Sequence, residues 1–414
     1  MTRKPKAWLS SRKASERLGV KLATLYAYTS RGLIASVASE SGRGHVYAAD
    51  DIERLRTRHA ARSGHAAVAA SALRFGEPVL ETRISQVTNG KLYYRGHSAI
   101  ELCRSDVGFE RVAELLWGGA LPDAAHAAKL PARPLKFERA RLGPLLKSRA
   151  TLAKMSLILA ALALSDGDRH GASDLAEHAR ARAVTRLLAT ACAPRAIKIS
   201  NQPRIATILL DALGVTATRA NVLGVDRALV LSAEHELNAS TFAARVAAST
   251  GADLYACLGA AVNTLSGGAH GGMCDRVEAF IDAIGAKQHA ARAVRERLAR
   301  GEQIPGFGHP LYPEGDPRGA LLVELAERHG ARSEAARTAL ALIEAMSAGG
   351  HPAVTLDGGL VALCDCLELP RGAAATIFAL GRNAGWIAHI LEQRADGYLL
   401  RPRARYVGEA PIEK

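Results

Sequence analysis

The stretch AEHELNASTFAARVAASTGADLYACLGAAVNTLSGGAHGG, residues 233–272, decides how the chain is to be read. Its apolar residues recur at helical spacing, and its abundance of Ala favours helix by propensity. Two polar interruptions break that pattern: His235 in AEHELN, and His270 between Gly267-Gly268 and Gly271-Gly272. Glycine flanking a histidine lets the backbone approach a ligand closely and leaves the side chain exposed to it.

Working outward, the same device recurs. PGFGHPLYPEGDPR (305–318) presents His309, and HPAVTLDGGL (351–360) presents Asp357. One such loop would be an ordinary turn, but four carrying His, His, His and Asp point to a site. The periodicity predicts helices over Glu110–Trp117, Leu152–Leu164, Ala228–Leu237, Phe242–Leu265, Val277–Ile284 and Ala336–Met346, with breaks at glycine pairs. Strand-like alternation is scarce, so an all-α fold is expected. No GxGxxG follows a strand, and there is no phosphate-binding GxxxxGK[ST] loop or GxSxG nucleophile elbow. His235-Glu236 is not a zinc-protease motif, because Ala239 stands four residues after His235.

Composition bounds the rest. A chain of 414 residues with 48% hydrophobic and 23% charged residues can bury a large core and is not mainly disordered. The longest apolar stretch, Met155–Leu164, falls far short of the roughly 20 residues of a membrane helix. The basic N-terminus lacks an apolar signal region, so a cytoplasmic location is expected. The six cysteines show no CxxC pair, and Cys364 and Cys366 read as reduced core thiols.

The net charge of +14 is unevenly spread: residues 1–65 hold 13 Lys and Arg against 5 Asp and Glu. This basic head has its own organisation. Ser10 and Ser11 can cap a helix with Ala14 and Leu18 on its apolar face, and Gly19 ends it. Val20, Leu22, Leu25 and Tyr26 predict a second short helix, completing a helix-turn-helix. Ser41-Gly-Arg-Gly-His-Val-Tyr47 reads as a glycine-rich wing, and Asp50 with Glu53 as a capping box for a third helix. The order resembles the winged helix-turn-helix of the MerR family, through Ala14–Leu18–Gly19–Val20, Thr24–Leu25–Tyr26, Arg31–Gly32–Leu33 and Tyr47. The resemblance implies double-stranded DNA as a partner, with Lys21, Thr24, Tyr28, Arg31 and Arg43 as exposed contact candidates. A packing or protein-contact module is the alternative. Residues 60–75 read as a linker.

The remainder resembles the citrate synthases, which condense acetyl-CoA with oxaloacetate. The likeness runs through ISQVTNGKLYYRGHSAIEL (84–102), FERVAELLWGGALP (109–122), the opening 233–272 stretch, residues 305–322, VTLDGGL (354–360), GRNAGWIAHILEQ (381–393) and LLRPRARYVG (399–408). It implies a two-domain all-α body, with a large domain of residues 76–277 and 373–414 and a small domain of residues 278–372. The N-terminal winged domain would occupy residues 1–59.

That chemistry needs a carboxylate to deprotonate a thioester methyl, a donor for the enolate oxygen, and cations to hold a dicarboxylate. The resemblance makes Asp357 the base, His270 the enol-stabilising donor and His309 the donor to the ketone. His235, Arg318, Arg382 and Arg401 would bind oxaloacetate, Arg401 coming from a neighbouring subunit, so a homodimer is implied. No metal or prosthetic group is called for, since the acyl-CoA enters as substrate.

The sequence departs from the family in places. Met273 and Cys274 follow the HGG where asparagine and small residues are common, Pro310 stands where a basic residue is usual, and Ser232 where a histidine often is. Gly358-Gly359 replace aromatic residues after the aspartate, which leaves more room or a different loop; extra room could admit a propionyl group from propionyl-CoA, giving a 2-methylcitrate synthase. A metabolite-sensing DNA-binding regulator with a citrate synthase-like body is the reading from another class. Reverse lyase chemistry or another keto-acid acceptor also stays open.

Overall fold

The computed structural model describes residues 8–30, 33–39, 44–49, 51–52, 80–135, 137, 142–143, 145–147, 150–170, 173–193, 204–268, 270–404, 406 and 408. It divides into two compact units, residues 1–81 with 402–414, and residues 82–401.

In the first unit, β1 (Trp8–Ser10), β2 (Ser36–Ala38) and β3 (His45–Ala48) form an antiparallel sheet of order β1-β3-β2. It accompanies α1 (Ser11–Leu18) and α2 (Leu22–Ser30). Ser10 is the N-cap of α1, its hydroxyl accepting from Lys13 N–H, and Gly19 ends the helix at φ +65°. Ala14, Leu18, Leu25, Ile34, Tyr47 and Ile52 make a small core of their own. The expected third helix is represented by residues 49, 51 and 52; Asp50 and Glu53 of its capping box lie outside the described residues.

This unit corrects two expectations. Val20 precedes α2 rather than joining it, and Leu22 and Tyr26 are about half exposed instead of packed inward. Of the DNA-contact candidates, Lys21 is exposed, but Thr24 is half-buried, and so is Tyr28, which packs against the small core. A helix of nine residues with one side packed on a six-residue core turns Tyr28 inward. Arg31 and Arg43 lie outside the described residues.

The second unit begins with an antiparallel sheet that the sequence reading did not anticipate: β4 (Ser85–Thr88), β5 (Lys91–Tyr94) and β6 (His97–Ser98). The tight turn at Asn89-Gly90, both at positive φ, closes its first hairpin. Helices follow: α3 (Ala99–Arg104), α4 (Phe109–Gly118), α5 (Ala124–Ala127), α6 (Thr151–Ser165), α7 (Asp174–Leu188), α8 (Ile205–Leu213) and α9 (Arg219–Ser232). Then come α10 (Ala239–Ser249), α11 (Leu254–Leu265), α12 (Met273–Ile284), α13 (Ala290–Ala299) and α14 (Pro317–His329). The last are α15 (Glu334–Ala348), α16 (Leu356–Cys366) and α17 (Ala373–Asp396). The all-α expectation holds for the body of the chain.

One expected helix is divided and another ends early. Phe242–Leu265 breaks between α10 and α11, where Gly251 takes φ +79° and Asp253 accepts from Ala256 N–H at 2.9 Å to cap the next helix. Ala228–Leu237 stops at Ser232: Glu236 has φ +52°, and Asn238 caps α10 by accepting from Thr241 N–H. Both breaks free backbone and place polar side chains at helix starts.

The core runs along α17, 24 residues long and buried through most of its length, with Trp386, Ile387 and Ile390 inaccessible. All six cysteines are free, and Cys364 and Cys366 are buried on α16. No described helix is long and apolar enough to cross a membrane.

Candidate active site

Three loops meet at the starts of α14 and α16. Thr355 N–H donates to Gly306 carbonyl at 2.8 Å, and its hydroxyl reaches the same oxygen at 3.1 Å. Gly308 N–H donates to Ala353 carbonyl at 2.9 Å. The third link is Asp316, the N-cap of α14, whose Oδ2 accepts from Leu356 N–H at 3.2 Å. These bonds join the segments bearing His309, Arg318 and Asp357.

Arg318 is 2% exposed and forms a fork with Asp316, Nε–Oδ1 3.0 Å and Nη2–Oδ2 2.8 Å. Burial works against the charge of Asp316, yet the Arg318 guanidinium outweighs it and holds the carboxyl below its usual range. Nη1 of Arg318 is buried without a hydrogen-bond partner. Arg382, 1% exposed on α17, donates Nε to the Ser232 carbonyl at 3.0 Å and leaves its own Nη1 equally unmatched. Burial and the neighbouring Arg318 lower the pKa of Arg382, while Glu234 opposes them. Two neighbouring buried guanidinium groups with spare N–H donors call for an anionic acceptor.

His235 feels both of these cations. Burial, Arg318, Arg382 and His309 together push its pKa well below the usual imidazole value, so it is neutral. Its Nε2 is 3.0 Å from the Tyr312 hydroxyl, and its ring meets the His309 ring edge-on at 5.3 Å between centroids. The Arg318 guanidinium lies over the Tyr312 ring at 5.4 Å. Burial lowers the pKa of His309 as well. Leu311 N–H donates to His309 Nδ1 at 3.2 Å, which places the ring proton on Nε2.

His270 sits in a tight loop before α12. Gly271 N–H donates to Leu265 carbonyl, and a Cβ at Gly271 would come within 2.2 Å of that oxygen, so the loop closes only with glycine there. The Nε2 of His270 accepts from Ser240 N–H at 3.3 Å and lies 2.8 Å from the Ser240 hydroxyl. The ring proton therefore resides on Nδ1. Trp386 Nε1–H donates to the same hydroxyl at 3.1 Å. Burial, then Arg382, pushes the His270 pKa down to about 4.

Asp357, in the first turn of α16 and partly exposed, has its pKa raised by burial, against the opposing effects of the Cys274 thiol and Arg318. The Cys274 Sγ lies 3.4 Å from its Oδ1. Arg401 is exposed and makes no ion pair with a described residue of this chain.

The structure brings His235, His309, Arg318 and Arg382 of the sequence reading into one cluster, with His270 under the influence of Arg382 and Asp357 under that of Arg318. That reading missed Tyr312, Ser240 and Asp316, which hydrogen-bond to the chosen groups, Trp386, which bonds to Ser240, and Glu234, whose charge acts on Arg382. The N-cap pattern of Asp316-Pro317 was the one signal available for any of them. The expectation of extra room at Gly358-Gly359 is overturned. A Cβ at Gly358 would stand 2.7 Å from the Gly306 carbonyl and the Val354 side chain, and one at Gly359 2.8 Å from the Gly319 carbonyl. Neighbouring backbone fills the space that side chains would have taken.

Comparison with known proteins follows the same lines. The family described as citrate synthase, C-terminal domain, matches residues 74–403, and the MerR HTH family regulatory protein matches residues 9–65. The citrate synthase of Haloferax volcanii is 32% identical over 370 residues, covering 82% of this chain and 96% of that protein. The 2-methylcitrate synthase of Mycobacterium tuberculosis is 32% identical over 361 residues, covering 80% and 89%. A citrate synthase-like relative from Mycobacterium tuberculosis is 40% identical over 196 residues, and the match spans about half of that relative, 52% of its length. Among solved structures, the ternary complex of Thermoplasma acidophilum citrate synthase with carboxymethyl coenzyme A and oxaloacetate superimposes with a TM-score of 0.71. The identity is 25%, covering 83% of this chain and 97% of that one. With helical body, loops and sequence in agreement over this length, the chain belongs to the citrate synthase family.

Proposed function

We propose that the chain condenses acetyl-CoA with oxaloacetate to give citrate and free CoA. The observation that carries this reading is the pair of buried arginines, Arg318 and Arg382, each with an unmatched Nη1, around the neutral His235. A dicarboxylate supplies the acceptors those donors lack. Arg401 of a partner subunit would complete the binding of its carboxylates in a homodimer.

In this scheme Asp357 takes a proton from the acyl methyl group, and its raised pKa makes it a stronger base than an ordinary aspartate. The Nδ1–H of His270 donates to the thioester oxygen as the enol forms. The low pKa of His270 keeps it a neutral donor. The enol carbon attacks the oxaloacetate ketone, whose oxygen takes its proton from His309 Nε2–H. Water then cleaves the thioester of the condensed product, releasing citrate and CoA. These steps use side chains and substrates alone. The lobe of residues 278–372 would close on the rest and exclude water.

The test is thiol release by the purified protein with oxaloacetate and acetyl-CoA, then propionyl-CoA, beside Asp357→Asn. Release that needs oxaloacetate and falls ~10²–10⁴-fold in the variant supports the scheme. No release with either thioester from folded protein rejects it. A preference for propionyl-CoA would make the product 2-methylcitrate.

A second reading, DNA binding by the N-terminal unit, is favoured by its winged helix-turn-helix form and its match to the MerR family. Against it, α2 carries no Lys or Arg. A gel shift of the whole chain on genomic fragments decides: binding that weakens steeply with salt supports it, and none at low salt rejects it.

A further inference from the structure

We propose that Cys274 is a positioning residue for the base: its thiol donates to Oδ1 of Asp357 and turns Oδ2 toward the acyl methyl group. This rests on the condensation reading above. Cys274 is the second residue of α12, four residues after His270, and is 1% exposed with its Sγ 3.4 Å from Oδ1. Asp357 is partly exposed while Cys274 is enclosed, and the proposal puts the thiol behind the carboxylate and the substrate in front. Among the described residues this is the one side-chain hydrogen bond that Asp357 receives. The residue at the N-cap of its helix, Thr355, directs its hydroxyl to Gly306 carbonyl instead.

Geometry alone links the two halves of the chemistry. The loop that ends in α12 carries His270 for the thioester oxygen, and the first turn of α12 carries the group that orients the base. The start of one helix therefore sets the separation between acid and base across the acyl group. Burial and the adjacent carboxylate hold the thiol well above its ordinary pKa, so it remains S–H at working pH. A thiol is a weak donor, so it fixes the orientation of the carboxylate while leaving it basic.

Two measurements test this. The first is the pH profile of kcat/KM for CoA release in wild type, Cys274→Ala and Cys274→Ser, each checked for folding by circular dichroism. Loss of the donor in Cys274→Ala should lower kcat several-fold at unchanged KM for oxaloacetate. It should also move the acid limb to higher pH, because the carboxylate has lost a stabilising bond. Cys274→Ser restores a donor and should bring the limb back to the wild-type pH or below. An unmoved limb in Cys274→Ala, or the same defect in both variants, overturns the proposal.

The second is the infrared S–H stretch, read as the difference between wild type and Asp357→Asn. A band that sits low in wild type and rises in the variant reports the thiol–carboxylate bond, and a band that does not move overturns the proposal. This readout needs no turnover. A wild type that is inactive with both thioesters would reject the condensation scheme, and the infrared difference would still decide the contact.

Discussion

His270 and His309 carry their ring protons on opposite nitrogens, each fixed by a backbone amide: Ser240 N–H on Nε2 of the first, Leu311 N–H on Nδ1 of the second. Main chain cannot be protonated or rotated away, so these tautomers survive changes of pH and side-chain motion better than a side-chain partner would allow.

The low His270 pKa has a consequence for stability. In the unfolded chain this imidazole takes up a proton near pH 6.5, but in the folded chain only near 4. As pH falls through that window the unfolded state binds more protons, so folding weakens; above about 6.5 the group contributes nothing. His270→Gln should therefore lose less Tm than wild type between pH 7 and pH 5. Equal losses in thermal unfolding at the two pH values would exclude this source.

Arg318 depends on Asp316 for charge and for both of its paired nitrogens. Asp316→Asn should destabilise the protein by ~3–5 kcal/mol, because a buried cation loses its counter-charge. Urea unfolding at pH 7 measures it. A change under about 1 kcal/mol would show that the pair contributes little.

Tyr312 meets His235 through its hydroxyl at 3.0 Å. Tyr312→Phe keeps the ring under Arg318 and removes that bond. A loss of ~0.5–1.5 kcal/mol predicts a KM for oxaloacetate about 2- to 12-fold higher. Steady-state kinetics with acyl-CoA saturating is the check, and an unchanged KM would remove Tyr312 from the binding account.

The close approach at Gly358 predicts the outcome of adding one methyl group. Gly358→Ala should cost ~1–3 kcal/mol from overpacking and lower kcat by moving Asp357. Denaturant unfolding with parallel kinetics tests both. A variant as stable and as active as wild type would mean that the loop yields freely.

His270, His309 and Asp357 were legible because each stands in or beside a short stretch whose glycines and prolines interrupt strong helical periodicity. His235 has neither residue beside it and was legible from the polar AEHELN stretch and the family likeness. Ser240 and Trp386 were not: Ser240 falls between two expected helices, and Trp386 stands in a stretch marked only by its family likeness. Their roles come from which neighbours the tertiary packing sets opposite them. The break between α10 and α11 was hidden because a single Gly251 is tolerated within a helix and the apolar period continues beyond it. Gly358-Gly359 misled in the other direction. A missing side chain looks like space until the backbone of residues 306 and 319 is known to occupy it.

The main-chain bonds among residues 306, 308, 353 and 355, with Asp316 tied to Leu356, have one more implication. Asp357, His309 and Arg318 are mounted on a single chassis. Whatever displacement moves Asp357 carries His309 and Arg318 with it. In the proposed condensation, alignment with the thioester would then be a property of the assembly, and a mutation that tilts any one mount would detune all three.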